Sequence, residues 1–178
     1  MLLKVITDGV VLPLTDFPRP YRRSTPRNQV APLLQVMEEY RSEGTVARLP
    51  KAISQRTKFW TPAFIIPKKY SSKVRLISDM RTLNNCFQCP RHQPDTWKTV
   101  LQLLQSQQFL WGLTLDLRSW FHHLALHPSS QRWVRYQIGP HAFQQIALPF
   151  GLKCSPFWSH RLSHPILKLL REQGITLV

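Results

Sequence analysis

The chain has 178 residues, of which 43% are hydrophobic, and its 24 Lys and Arg stand against nine Asp and Glu for a formal net charge of +15. That apolar fraction excludes a disordered chain, and the length fits one domain or a domain plus a tail. The charge favours a polyanionic partner held through phosphate contacts and counterion release, a nucleic acid first of all, although a basic assembly protein or a fragment balanced elsewhere would carry the same signature.

In chain order, "MLLKVITDGVVLPL" meets Asp8 and Gly9 before its apolar run is long enough for a signal sequence. No stretch approaches the roughly 20 apolar residues of a membrane span, so an intracellular protein without a membrane partner is expected, cytoplasm or nucleus being left open. Residues 1–32 hold Pro13, Pro18, Pro20 and Pro26 among Arg19, Arg22, Arg23 and Arg27, the composition of an extended basic arm with little fixed structure. From Ala31, Leu33, Leu34, Val36, Met37 and Tyr40 fall on one face of a predicted helix that Gly44 stops. Two β-runs follow, Ala63–Ile66 and Val74–Ile77, joined by a polar turn through Tyr70, Ser71 and Ser72. Lys68, Lys69, Lys73 and Arg75 sit on or beside this hairpin, suited to phosphates or to guarding an edge strand.

Cys86 and Cys89 form a lone C-x-x-C, which reads as two loop cysteines more readily than as half a zinc site. With Cys154 they are too few and too unevenly spaced for a disulfide framework, which favours a reducing compartment. Asp95 or Thr96 can cap a helix carrying Val100, Leu101, Leu103 and Leu104. In "LTLDLRSWFHHLAL" alternation predicts a strand with Leu113, Leu115 and Leu117 on one face and Thr114 and Asp116 on the other, and it sends His122 and His123 to opposite faces. A hairpin is expected around Gly139–Pro140, then a helix with Ser155 at the N-cap and Pro156 at N1, kinked or interrupted at Pro165. These elements make an α+β domain without repeats.

Three blocks, "TPAFIIPKKYSSKVRLISDMRTLNN", "LTLDLRSWFHHLALHPSSQ" and "LPFGLKCSP", resemble in order and spacing the fingers and palm of reverse transcriptases from retroviruses and related retrotransposons. The forms "DLRSWF" and "LPFGLKCSP" are similar to those of DIRS-like elements. The resemblance divides the chain into the Pro/Arg-rich arm, 1–32, and a partial reverse-transcriptase domain, 33–178. It implies RNA-directed DNA synthesis on an RNA or DNA primer-template with deoxynucleoside triphosphates, and the rest of a retroelement polyprotein as a further partner.

Residue by residue, the resemblance implies that Asp116 is the first metal-binding carboxylate of the palm and that the Leu117 main-chain carbonyl assists it. In this family two ions, magnesium or manganese, activate the primer hydroxyl and hold the triphosphate, and hard oxygen donors suit them. Phe121 takes the place of the steric gate beneath the incoming sugar. Lys68 and Arg75 match fingers residues that close on the triphosphate, where a guanidinium can grip two phosphate oxygens. Arg81 matches a residue near the template, with Asp79 as its structural partner. Pro149, Phe150 and Gly151 match the turn lining the nucleotide and template base. Three departures stand out: Phe150 where retroviral members commonly have Gln, Trp120 where a small residue usually precedes the gate, and Ser119 in place of an acid, its N–H still able to meet phosphate.

The family's next palm motif, Tyr-x-Asp-Asp, supplies the remaining carboxylates, and "GITLV" reads as the start of the strand leading to it. The expectation is therefore a fingers and palm segment truncated before that hairpin, with its own catalysis in question. A catalytically inactive nucleic-acid-binding remnant is the alternative.

Overall fold

The computed structural model describes residues 2–20, 25–70, 74–91, 93–94, 96–106 and 114–175. In chain order these form α1 (Leu2–Asp8), α2 (Arg27–Ser42), β1 (Val46–Arg48), α3 (Lys51–Arg56), β2 (Ala63–Pro67), β3 (Val74–Ser78), α4 (Arg81–Asn84), α5 (Trp97–Ser106), a 3-10 turn (Trp120–His123), α6 (Pro128–Gln131), β4 (Arg135–Ile138), β5 (His141–Gln145) and α7 (Ser155–Glu172). The class is mixed α and β, with antiparallel sheets. One is three-stranded in the order β1-β5-β4 and the other is the β2-β3 hairpin.

The three-stranded sheet shows why the core lies where it does. Val134 just before β4 and Tyr136 and Ile138 within it alternate inward, Phe143 is buried opposite Tyr136, and Leu33 and Met37 of the amphipathic α2 close over them. Burial of such side chains contributes about 1.5–3 kcal/mol apiece. The hairpin pairs Phe64 with Ile77 and Ile66 with Arg75, as the two β-runs predict. α5 begins after Thr96, whose Oγ1 accepts from the Thr99 N–H at 3.4 Å. Asp95, the other candidate cap, lies outside the described residues, as do Leu113, Lys73 and two turn residues, Ser71 and Ser72. Among the described residues no helix is long and apolar enough to cross a membrane.

Four expectations are corrected. The described residues before 32 are not a loose arm: α1 forms, Val5, Val10 and Leu12 are buried, and α2 starts at Arg27, while residues 21–24, with Arg22 and Arg23, lie outside the described residues. Its apolar residues find a groove distant in sequence, with Val10 N–H donating to the Ala125 carbonyl at 2.8 Å and Leu12 N–H to Ser130 Oγ at 2.9 Å. Gly9 permits this, because a Cβ there would lie 2.7 Å from the His127 nitrogen.

Residues 114–117 form no strand, and Leu115 and Leu117 are 77% and 55% exposed. They join neither of the described sheets, so alternation here has no ladder to complete it. Ser155 is the first helical residue and Cys154 takes the N-cap position without a side-chain cap, because the Ser155 hydroxyl bonds elsewhere. Pro165 lies within an unbroken α7 and does not interrupt it. The flank it occupies is exposed, so water can serve the carbonyl that its missing N–H leaves.

Candidate functional site

The turn Pro149-Phe150-Gly151 is reached from a short pairing of two segments, in which Leu126 N–H donates to the Ile146 carbonyl at 2.6 Å and Leu148 N–H to the Leu124 carbonyl at 2.8 Å. Three further contacts fix it. The Ser155 hydroxyl donates to the Pro149 carbonyl at 2.8 Å, Asn84 Nδ2 donates to the Gly151 carbonyl at 2.9 Å, and Asn84 Oδ1 accepts from the Lys153 N–H at 2.9 Å. Gly151 has φ +88°, and a Cβ there would meet the Ser78 carbonyl oxygen at 3.1 Å. The turn is thus pressed against the root of the β2-β3 hairpin. That root is tied to the sheet in turn, since Ser78 Oγ donates to the Tyr136 hydroxyl at 3.1 Å. Burial pushes the Tyr136 phenol far above its ordinary range, so it stays protonated.

Phe150 is 49% exposed and packs on Phe121 with ring centroids 4.8 Å apart. Phe121 lies in the 3-10 turn, which Ser119 starts in the left-handed region at φ 52° and the His122 N–H closes onto the Ser119 carbonyl at 2.8 Å. That turn overrides the predicted alternation at His122 and His123. Trp120 packs on His123 at 5.6 Å, so the bulky residue before Phe121 engages a different partner from Phe121 itself. The His122 ring meets Phe150 edge-on at 5.4 Å and Tyr40 at 5.3 Å. Burial lowers the His122 pKa from its ordinary value, the nearby Glu43 carboxylate opposing that effect.

Asp116 is exposed, and among the described residues no hydrogen bond or ion pair ties Asp116, Lys68 or Arg75 to Phe121 and Phe150. Lys68 follows β2 directly and Arg75 sits in β3, both exposed on the hairpin whose root contacts Gly151. Arg81 makes a two-pronged pair with Asp79, Nε to Oδ1 at 2.8 Å and a terminal nitrogen to Oδ2 at 2.6 Å, with the carboxylate largely covered and the guanidinium open. Both line an open cleft of about 460 Å3 together with Asp16, Phe17, Arg19, Thr82 and Asn85.

The three cysteines are free. Cys86 Sγ lies 3.2 Å from the Thr82 carbonyl and Cys89 Sγ 3.6 Å from that of Lys153, and burial pushes the Cys154 thiol up to about 12. Among the described residues no three His, Cys, Asp or Glu gather as a metal-binding group. Asp116 and the Leu117 carbonyl are hard oxygen donors of the kind magnesium takes, but by themselves they are too few to hold two ions. Sequence reasoning missed Asn84, the clamp on the turn. A lone Asn at the end of a short helix gives no signal until its two bonding partners are known.

Comparison with known proteins bears on the same region. The family described as "Reverse transcriptase (RNA-dependent DNA polymerase)" matches residues 66–178. A Cassava vein mosaic virus protein titled "Putative enzymatic polyprotein" is 26% identical over 123 residues, 67% of this chain and 18% of that protein. A "Retrovirus-related Pol polyprotein from transposon 297" of Drosophila melanogaster is 25% identical over 114 residues, 62% of this chain and 11% of that protein. The chain therefore spans less than a fifth of either relative.

Proposed function

This chain belongs to the reverse transcriptase family, and from that premise we propose that it forms the nucleotide- and template-facing part of a retroelement RNA-directed DNA polymerase, fingers and palm together. The observation that carries the reading is the Phe121–Phe150 contact, braced on Gly151 against the hairpin root, inside the family-matched residues. Phe121 lies beneath the incoming sugar, where its ring disfavours a 2′-hydroxyl. Phe150, with Pro149 and Gly151, walls the base and template side. Lys68 and Arg75 close on the triphosphate, giving fixed positive charge where negative charge develops. The Ser119 N–H faces phosphate and Trp120 shapes the sugar pocket. Arg81, held in aim by Asp79, meets the template from the cleft beside it. The family is generally divalent-metal dependent, and magnesium or manganese, when bound, would supply activation of the primer hydroxyl and neutralisation of phosphate charge. Asp116 and the Leu117 carbonyl are the residues here that would hold it, with carboxylates from beyond the described group completing the set.

The test is primer-template binding and extension by the chain and by Asp116→Asn. Binding should weaken steeply with salt and be equal in both proteins, because the +15 charge governs it. Any extension with deoxynucleotides and magnesium or manganese should be lost in Asp116→Asn. Extension that survives the substitution would remove Asp116 from the site. Binding without extension by either protein would favour the second reading, a nucleic-acid-binding remnant.

A further inference from the structure

His122 stands in a row of four rings, Tyr40, His122, Phe150 and Phe121, with successive centroids 5.3, 5.4 and 4.8 Å apart. The first two contacts are edge-to-face, at interplanar angles of 79° and 72°, a geometry that ring quadrupoles favour and that fixes orientation. The row spans three separate elements: α2 supplies Tyr40, the 3-10 turn supplies His122 and Phe121, and the turn after Leu148 supplies Phe150. Phe150 itself is half exposed, so the rings beside it are what hold its position.

The Nδ1 atom of His122 is buried and has no hydrogen-bond partner among the described residues. In a neutral imidazole that nitrogen can be a bare acceptor lone pair. Protonation would place an N–H there with nothing to receive it, and a positive charge among rings. The charged and titratable groups around it are few. From α2 comes the Tyr40 hydroxyl, kept protonated by burial, and from its C-cap the Glu43 carboxylate, which already pairs with Arg118 at 3.4 Å. From its own turn comes His123, which opposes a proton on His122. The turn carrying Phe150 brings no charge before Lys153.

We propose that His122 is a positioning residue of the nucleotide pocket, whose neutral ring, wedged between Tyr40 and Phe150, holds Phe150 on Phe121, and that a proton on Nδ1 releases Phe150 and loosens the grip on the nucleotide. The proposal rests on the reading of Phe121 and Phe150 as the nucleotide-facing pair. It makes His122 a link between pH and pocket shape that neither Phe residue has alone.

The test follows ring signals of His122, Phe121 and Phe150 by NMR in the labelled chain from pH 8 to pH 5, alongside deoxynucleotide binding in the presence of primer-template. His122 should titrate below the ordinary value of 6.5, with both Phe signals moving at the same midpoint. Nucleotide affinity should fall about tenfold across that step, the scale of one or two aromatic contacts. In His122→Phe, which keeps a ring and removes the proton site, the Phe signals and the affinity should not change with pH. Phe150 signals that ignore the His122 titration, or that shift equally in His122→Phe, would overturn the proposal. Should His122→Phe fail to fold, the wild-type titration decides alone, because coincident midpoints support the wedge and independent ones remove it. If the Phe rings follow His122 but no deoxynucleotide binds at any pH, the wedge stands and the nucleotide reading falls.

Discussion

The turn at 149–151 and the segment at 114–117 belong to one proposed site, yet the chain holds them in opposite ways. The turn has its Pro149 and Gly151 carbonyls bonded to Ser155 and Asn84, and its Gly151 pressed on Ser78. The segment carrying Asp116 is exposed throughout and joins no ladder among the described residues. The contrast separates two tasks. The wall that would grip a nucleotide is braced by contacts within the chain, whereas the segment with the carboxylate that would hold metal has no such bracing among the described residues.

The contrast breaks most readily at Gly151. Gly151→Ala combines a left-handed residue, at about 1–2 kcal/mol, with a Cβ 3.1 Å from a backbone oxygen that cannot turn aside. A total loss of about 2–3 kcal/mol is expected, which thermal unfolding should read as a fall of roughly 4–12 °C for a chain of this size. An unchanged midpoint would mean that the turn is as loosely held as residues 114–117. Asn84→Ala should follow at about 1–2 kcal/mol, since it removes two hydrogen bonds that brace the same turn. Because Asn84 does not itself face the pocket in this reading, its loss should also weaken nucleotide binding only through Phe150.

The elements legible in the sequence were those whose signals are local. The β2-β3 hairpin, the β4-β5 hairpin around Gly139–Pro140 and the apolar stripe of α2 each follow from periodicity or turn chemistry over a few residues. What escaped depended on distant partners. β1 is only three residues long and exists because Val46–Arg48 pairs with Phe143–Gln145. The N-terminal segment is ordered because Val10 meets Leu126 far along the chain. Alternation at 114–117 promised a strand, but alternation states only which face a strand would bury and not that a neighbour is there. At the site, motif resemblance drew attention to Phe121 and Phe150, which the fold places in ring contact. It gave no hint of Asn84 or of the His122 wedge, which are visible only as geometry.

Acid should sharpen the contrast further. The His122 pKa is lowered in the folded chain by burial, so above 6.5 the ring is neutral folded or unfolded and the wedge contributes fully. As pH falls through 6.5 the unfolded chain takes the proton first, and stability is lost until the lower folded value is passed. Urea unfolding of wild type and His122→Phe between pH 8 and pH 5 should therefore diverge, wild type losing more. Parallel curves would show that the ring carries no linked proton.

The smallest effect is expected at Asp116, and its smallness is informative. Asp116 is exposed and sits outside any strand, so Asp116→Asn removes no buried contact and should change stability by no more than about 0.5 kcal/mol. A buried, hydrogen-bonded palm carboxylate would behave otherwise, since replacing it disturbs partners arranged for a charge. Differential scanning calorimetry in metal-free buffer and in magnesium separates the cases. Without metal the two proteins should unfold at the same temperature. If magnesium raises the midpoint of wild type but not of Asp116→Asn, Asp116 is already a ligand in the chain as it stands. A loss of well over 1 kcal/mol without metal would show that residues 114–117 are packed as firmly as the Gly151 turn, and the division between a built wall and an open carboxylate would be gone.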